Sequence, residues 1–347
     1  MSNGRTVSHG PGDHEKTFSR GTSVNLGDEQ LNEAISSGMR EVEELLATEL
    51  TVGEEFVTDK VRYLAAAGGK RFRPMFALLA SQYGANPANA DVIRAAVVVE
   101  MTHLATLYHD DVMDEADKRR GVDSANSRWS NSMAILAGDY LLARASRIMA
   151  QLGVDTVAHF AATFGELVTG QMRETVGPGD GDPIEHYRAV VREKTGVLIA
   201  SAGFLGGLHG GATPEQIDAL HRFGYAIGTV FQIVDDIIDI YSDTDQSGKT
   251  PGTDLKEGVF TLPVLYALEE EGAVGDELRA RLTGPVSDDD EVATVLDLLH
   301  RSTGREKALA DVHRYVELAE AELAKLPQND TTAALRTLTR FTVSRVG

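Results

Sequence analysis

The sequence predicts an all-α protein, and three observations carry that prediction. From Leu31 onward apolar residues recur at helical spacing, Ala, Leu and Glu dominate those stretches, and strand-like alternation bounded by turn signals is almost absent. With 347 residues and 42% hydrophobic content, the chain can bury a sizeable core.

In chain order, residues 1–25 are rich in Gly, Ser, His and charge and are expected to form a mobile tail, with His9 and His14 solvated rather than ligating. That stretch lacks the apolar core of a secretory signal. Residues 26–347 read as one domain. Periodicity predicts helices over 31–51 and 54–67, and the Gly- and Pro-bearing GGKRFRP then breaks the pattern before a helix over 74–82. YGANPANA separates this from 90–114, and DKRRGVDSANS separates 90–114 from 131–151 and 154–175. GPGDGDP precedes 184–207 and HGGATPE precedes 214–241; after the long break SDTDQSGKTPGTDLKEG come 262–271, 289–302 and 306–326, with a short helix after Thr331. At each break Gly, Pro, Asn and Asp supply the turn chemistry. None is long enough for a domain linker and no solenoid-type repeat is present, so one continuous helical bundle is expected.

A net charge of −20 argues against a generic nucleic-acid binder, while allowing a local basic site. The absence of cysteine removes disulfides, thiolate metal sites and cysteine nucleophiles, and suits a reducing compartment. No run approaches the roughly 18 apolar residues of a spanning helix. The run GFLGGLHGG does not fit G-x-G-x-x-G and is read as close helix packing. Gly248-Lys249-Thr250 resembles the end of a P-loop, but Asp243 stands where the earlier Gly is required, so that reading is rejected.

One pattern occurs twice. Asp110, Asp111 and Asp114 in LYHDDVMDEADKRRG, and Asp235, Asp236 and Asp239 in FQIVDDIIDIYSD, both read DDxxD. On a helix, positions i and i+4 share a face, so Asp110 with Asp114, and Asp235 with Asp239, can present two carboxylates to one point. A lone DDxxD is ordinarily a solvated helix face. Both triplets here follow strongly apolar segments, VVVEMTHLATLY and YAIGTVFQIV, which weakens that reading. Two unneutralised carboxylates about 6 Å apart would repel by roughly 3 kcal/mol at an effective dielectric near 20. A hard cation is implied, and Mg²⁺ bridging carboxylates to a phosphate is the natural one. Lys70-Arg71-Phe72-Arg73 and Lys118-Arg119-Arg120 are local basic exceptions in an acidic chain and suggest two anionic groups.

Taken in order, GGKRFRP, HDDVMDEADKRRG, EKTG, FQIVDDIIDI and GKTPGTDLKEG resemble the trans-isoprenyl diphosphate synthases, or polyprenyl synthetases, over most of the chain from Leu31 onward. Within that family the chain looks most like the actinobacterial-type long-chain enzymes thought to make quinone side chains. The resemblance implies a single large antiparallel helix bundle around a deep central cavity, usually a homodimer, with three Mg²⁺ ions holding the allylic diphosphate between the two DDxxD motifs. It implies Asp110 and Asp114 as principal ligands of the first pair of ions and Asp235 of the third, with Asp111, Asp236 and Asp239 in support. Lys70, Arg73, His103 and Arg120 resemble the family's isopentenyl diphosphate site. Arg119, Lys194, Thr195, Gln232 and Lys249 resemble its allylic diphosphate site, and the Lys194 carbonyl, Thr195 hydroxyl and Gln232 amide oxygen would stabilise the allylic cation.

Two departures stand out. His103 occupies a position where farnesyl-type members carry Gln, and Val259 one where many carry Lys, leaving compensation to Lys256 or Lys249. For chain length, Thr106 lies about 6 Å and Thr102 about 12 Å below Asp110 along the helix. Short-chain members block the tunnel with an aromatic residue at the level that here holds Ala105 and Thr106. A product longer than farnesyl, and longer than geranylgeranyl, is therefore expected, with a geranylgeranyl synthase as the alternative. A class I terpene cyclase would lack GGKRFRP and the second DDxxD, a regulatory subunit would have lost an Asp cluster, and a Ca²⁺-binding scaffold would not explain the basic clusters. A cytoplasmic enzyme that hands an apolar product to the membrane is the expected setting.

Overall fold

A computed structural model describes residues 25–242 and 251–346. His9, His14 and Lys249 lie outside the described residues. The chain folds as helices: α1 Glu29–Leu50, α2 Glu55–Ala66, α3 Phe72–Ser81, α4 Ala90–Met113, α5 Ala125–Arg128, α6 Asn131–Leu152, α7 Val154–Val176, α8 Pro183–Val191, α9 Val197–Gly210, α10 Pro214–Tyr241, α11 Thr253–Glu257, α12 Leu262–Leu268, α13 Ala273–Arg281, α14 Asp289–Arg301, α15 Gly304–Leu323 and α16 Asp330–Val343. Local chemistry starts these helices where the sequence suggests. Asp28 accepts from the Leu31 N–H at 2.7 Å, Asp182 precedes Pro183 at the first turn of α8, and Thr213 with Gln216 closes a reciprocal capping box on α10.

Small residues decide how closely the central helices approach. A Cβ on Gly224 would sit 2.4 Å from Ala200 Cα, and one on Gly206 would sit 2.1 Å from the Ala77 carbonyl oxygen. The pairs Gly196 with Gly228, Ala200 with Gly224 and Gly203 with Leu220 make α9 and α10 antiparallel; Ala77 with Gly206 and Ser81 with Gly210 make α3 and α9 parallel. The glycine run of α9 is thus helix packing. One large core holds α1–α4, α6, α9, α10 and α15 together, and a second, smaller apolar cluster joins the end of α10 to α11–α14. Among the described residues, no helix is long and apolar enough to cross a membrane.

The structure differs from the expected helices in three places. The stretch expected as 184–207 is interrupted by a single π-helical turn, Arg192–Gly196. The short α5, α11 and α13 were not anticipated, because the first two span under two turns and α13, AVGDELRAR, shows little apolar periodicity. A two-stranded ribbon, β1 Lys118–Arg119 with β2 Val122–Asp123, fills the break after α4. It turns through Arg120 (φ 54°) and Gly121 (φ 80°), the two positive φ values that a two-residue hairpin turn requires.

Candidate active site

The first acidic group ends α4. Asp110 and Asp114 lie one turn apart, the Asp114 N–H donating to the Asp110 carbonyl at 2.8 Å. Burial pushes the Asp110 carboxyl up to about 6, with the Lys194 ammonium pulling it down and Asp114 pushing it further up. Asp114 is raised as well, first by burial, against the pull of Lys194. Lys194 itself is ion-paired with Glu174 of α7. Asp111 points elsewhere: it is fully buried and accepts from Arg119 Nε at 2.6 Å, with its Oδ2 lacking a hydrogen-bond partner. The pair fixes Arg119.

The second acidic group ends α10. Buried Asp236 accepts from the Tyr187 hydroxyl of α8 and from Gln232 Nε2 at 2.8 Å, and burial pushes its carboxyl up to about 7. Gln232 in turn accepts from Thr195 Oγ1 at 3.2 Å, so Thr195, Gln232, Asp236 and Tyr187 form one polar chain. Asp235 forms an ion pair with Arg345 at 2.7 Å, and Asp239 Oδ2 accepts from the Asp254 N–H at 3.3 Å. Glu257 of α11 lies near carboxylates of both groups. Its carboxyl is raised first by burial and then by the charge of Asp114, with Asp239 contributing after the opposing Arg119.

The basic half is built around α3 and the ribbon. Arg71, in the left-handed region at φ 49°, sends Nε to Glu43 at 2.6 Å and Nη1 to buried Glu100 at 2.8 Å. Arg73 has a buried Nε without a partner, and its guanidinium is pushed down to about 10 by burial despite Glu100. Arg120 donates from Nη1 to the Leu64 carbonyl at 2.9 Å and to that of Gly68. His103 is held well below its ordinary value by burial and then by Arg73 and Arg120, so it is a neutral imidazole near pH 7. Lys70 lies 5.1 Å from the centroid of the Phe231 ring.

Of the candidates for chain-length control, Thr106 keeps part of its surface exposed and donates from Oγ1 to the His103 carbonyl at 2.8 Å. Thr102 and Ala105 are fully buried, and the Ala105 carbonyl packs against Gly138 of α6. Ala105 therefore sits in the α4–α6 contact. Val259 is exposed. Lys256 pairs with Asp289 at 2.6 Å.

Sequence reasoning missed Glu43, Glu100, Glu174, Tyr187, Glu257 and Arg345. Glu100 had a signal, as the lone charge within the apolar run VVVEMTHL. The others reach the site through tertiary contacts that no local spacing reveals.

Among the described residues, no three Asp, Glu or His side chains converge into a ready-made metal cage. What the site offers is carboxylate oxygens in pairs, one turn apart on each of two helices. That donor set fits a hard cation that keeps several waters and completes its shell from a phosphate.

Residues 54–299 match the family model described as polyprenyl synthetase. The chain is 54% identical over 325 residues to the nonaprenyl diphosphate synthase of Mycobacterium tuberculosis, covering 93% of this chain and 97% of that protein. It is 38% identical to heptaprenyl diphosphate synthase component 2 of Geobacillus stearothermophilus, covering 88% and 95%. Among solved structures, geranylgeranyl pyrophosphate synthase of Corynebacterium glutamicum, complexed with calcium and isoprenyl diphosphate, superposes with a TM-score of 0.87 at 65% identity, covering 93% of this chain and 100% of that one.

Proposed function

The chain belongs to the polyprenyl synthetase family, and from that premise we propose that it is a Mg²⁺-dependent enzyme condensing isopentenyl diphosphate with an allylic diphosphate into an all-trans polyprenyl diphosphate. The observation that carries this reading is the pairing of two acidic helix ends, on α4 and α10, with a separate basic group that has its own buried counter-ion. One half suits a metal-bound diphosphate, the other a diphosphate bound without metal.

In this reading Asp110, Asp114 and Asp235 hold Mg²⁺, with Asp239 beside them. Asp111 and Asp236 act behind this layer by fixing Arg119 and Gln232. When bound, Mg²⁺ supplies Lewis acidity to the leaving diphosphate. Lys194 and Arg119 take up the negative charge that develops as the allylic carbon–oxygen bond breaks. Thr195 and Gln232 orient oxygen dipoles toward the allylic cation. Lys70, Arg73, neutral His103 and Arg120 hold the second diphosphate, so the attacking double bond is kept at reacting distance. Lys249 would add a further basic contact on the allylic side.

Relatives of this chain carry both nonaprenyl and geranylgeranyl names, so product length has to be argued from the site. Thr106, small and partly exposed below Asp110, supports a chain longer than geranylgeranyl, suited to a quinone side chain. The protein acts as a homodimer in the cytoplasm in this reading.

Purified protein incubated with Mg²⁺, labelled isopentenyl diphosphate and, separately, dimethylallyl, geranyl, farnesyl and geranylgeranyl diphosphates should yield one dominant linear alcohol after dephosphorylation. Diphosphate release from an allylic substrate alone would point to a cyclase instead. Asp110→Ala and Asp235→Ala should each lower turnover by about 10³-fold or more. Near-wild-type condensation in either variant would sink the assignment.

A further inference from the structure

The helical stretch from Glu185 to Thr195 has two working faces. One carries Tyr187, which donates to Asp236, together with Lys194 and Thr195 of the π turn. The other faces away from the acidic groups and forms one wall of a separate cavity of about 480 Å³ between α8, α10 and α15.

Four guanidiniums line that cavity: Arg188, Arg192, Arg222 and Arg314. Their neutralisation is incomplete. Arg188 and Arg314 share the single carboxylate of Asp311, each with an Nη2 contact at 2.9 Å, and Tyr266 donates to that carboxylate as well at 2.7 Å. Arg188 also takes Glu185, and Arg222 takes Asp218 one turn away at 3.0 Å. Among the described residues, Arg192 pairs with no carboxylate; its guanidinium lies 4.0 Å from the Tyr225 ring centroid. The remaining acidic wall residue, Glu322, is held by Lys325 at 2.7 Å. In a chain of net charge −20 this is a local cationic exception. Leu318, half exposed, adds an apolar edge.

We propose that this cavity is a second anion site, taking a diphosphate group from the free ion or from a prenyl diphosphate, and that its occupancy regulates the active site through the Glu185–Thr195 stretch. Planar guanidinium forks from three elements match the oxygens of a diphosphate, and the space exceeds what the bare ion fills. Drawing Arg192 off Tyr225 acts at the first residue of the π turn, two and three positions before Lys194 and Thr195. Such wide turns store a local alternative in hydrogen-bond register. The binding half of the proposal stands alone; the regulatory half rests on the proposed function.

The test uses the full chain. In EDTA, calorimetric titration with inorganic diphosphate should show two binding events per chain. One is expected to vanish in Arg73→Gln. The other should weaken about tenfold or more in the double variant Arg192→Gln/Arg314→Gln, whose side chains are exposed enough to be replaced without unfolding. With Mg²⁺ and both substrates present, added diphosphate should inhibit the wild type with a component that excess allylic substrate does not relieve. The double variant should lose that component and keep its turnover in the absence of added diphosphate. Repeating the titration with farnesyl diphosphate identifies the source, and tighter binding of either ligand supports the site. Absence of the second event in the wild type, or its survival unchanged in the double variant, overturns the proposal while leaving condensation intact. Loss of condensation with both binding events present would instead strike the proposed function.

Discussion

Glu100 is a carboxylate buried in the middle of α4, and three guanidiniums depend on it. It contacts Arg71 directly at 2.8 Å, and its charge counteracts the burial of Arg73 and Arg120. Replacing it by glutamine keeps the shape and removes the charge, so the guanidiniums around it become uncompensated in a buried setting. Breaking such a pair costs about 3–5 kcal/mol, and Glu100→Gln should lose stability on that scale in urea unfolding. An added anion then takes over the missing role. Isopentenyl diphosphate should raise the midpoint of thermal unfolding more in Glu100→Gln than in the wild type; equal shifts would mean that Glu100 is structural and does not position the anion site. Arg71 belongs to the same argument, since its left-handed backbone is a conformation that a non-glycine residue holds at a cost of about 1–3 kcal/mol. The Glu43 and Glu100 contacts offset it.

The interface of α7, α9 and α10 carries a different kind of charge control. The His159 ring stacks on Phe204 with centroids 3.8 Å apart and shares a 3.0 Å hydrogen bond with Ser201. Burial, then the nearby His221, pushes its imidazole from the ordinary 6.5 down to about 4. Because the folded value is the lower one, acidification protonates the unfolded chain first. Stability is therefore lost as pH falls from 6.5 toward about 4, by at most about 1.4 kcal/mol per pH unit. Asp110 and Asp236, with raised values, work in the opposite direction over the same range. The informative quantity is the difference between variants: His159→Phe should show a shallower acid loss than wild type in urea unfolding at pH 7, 6 and 5, and parallel curves would refute this. This interface also marks where the sequence was legible. The helix α10, its capping box and the close packing of the α9 glycines follow from periodicity and turn chemistry, and both acidic groups lie on helices, as the i, i+4 spacing implies. The π turn did not announce itself, because EKTG carries no proline and its single Gly196 falls inside an otherwise continuous helical pattern, at the place where α7 packs closely through Gly170 against Glu193 and Lys194. The ribbon was read as a plain loop for a related reason, since two-residue strands are too short to show alternation. Glu174 and Arg345 were out of reach because their partners lie 20 and 110 positions away in the chain.

At the scale of the whole molecule, the hairpin of α6 and α7 leaves an apolar surface that the fold does not cover. Ile135 and Leu136 on α6, and Val168, Met172 and Val176 on α7, are all exposed. A monomer seldom leaves that many large apolar side chains on one packed pair of helices, and a two-fold contact would bury each set against its copy. Charge opposes that contact, because two chains of −20 each must approach one another. Two consequences follow from the balance. The homodimer proposed for this chain should tighten as ionic strength rises from about 0.01 to about 0.15 M, since screening removes repulsion without weakening apolar burial. Leu136→Asp should weaken it by about 30-fold or more, equivalent to the roughly 2 kcal/mol of a central interface residue. Sedimentation equilibrium of wild type and variant at both salt concentrations measures both effects. A variant that remains as dimeric as the wild type would move the interface to another face. A variant that dissociates but keeps its condensation rate would show that one chain completes the site from its own α4 and α10.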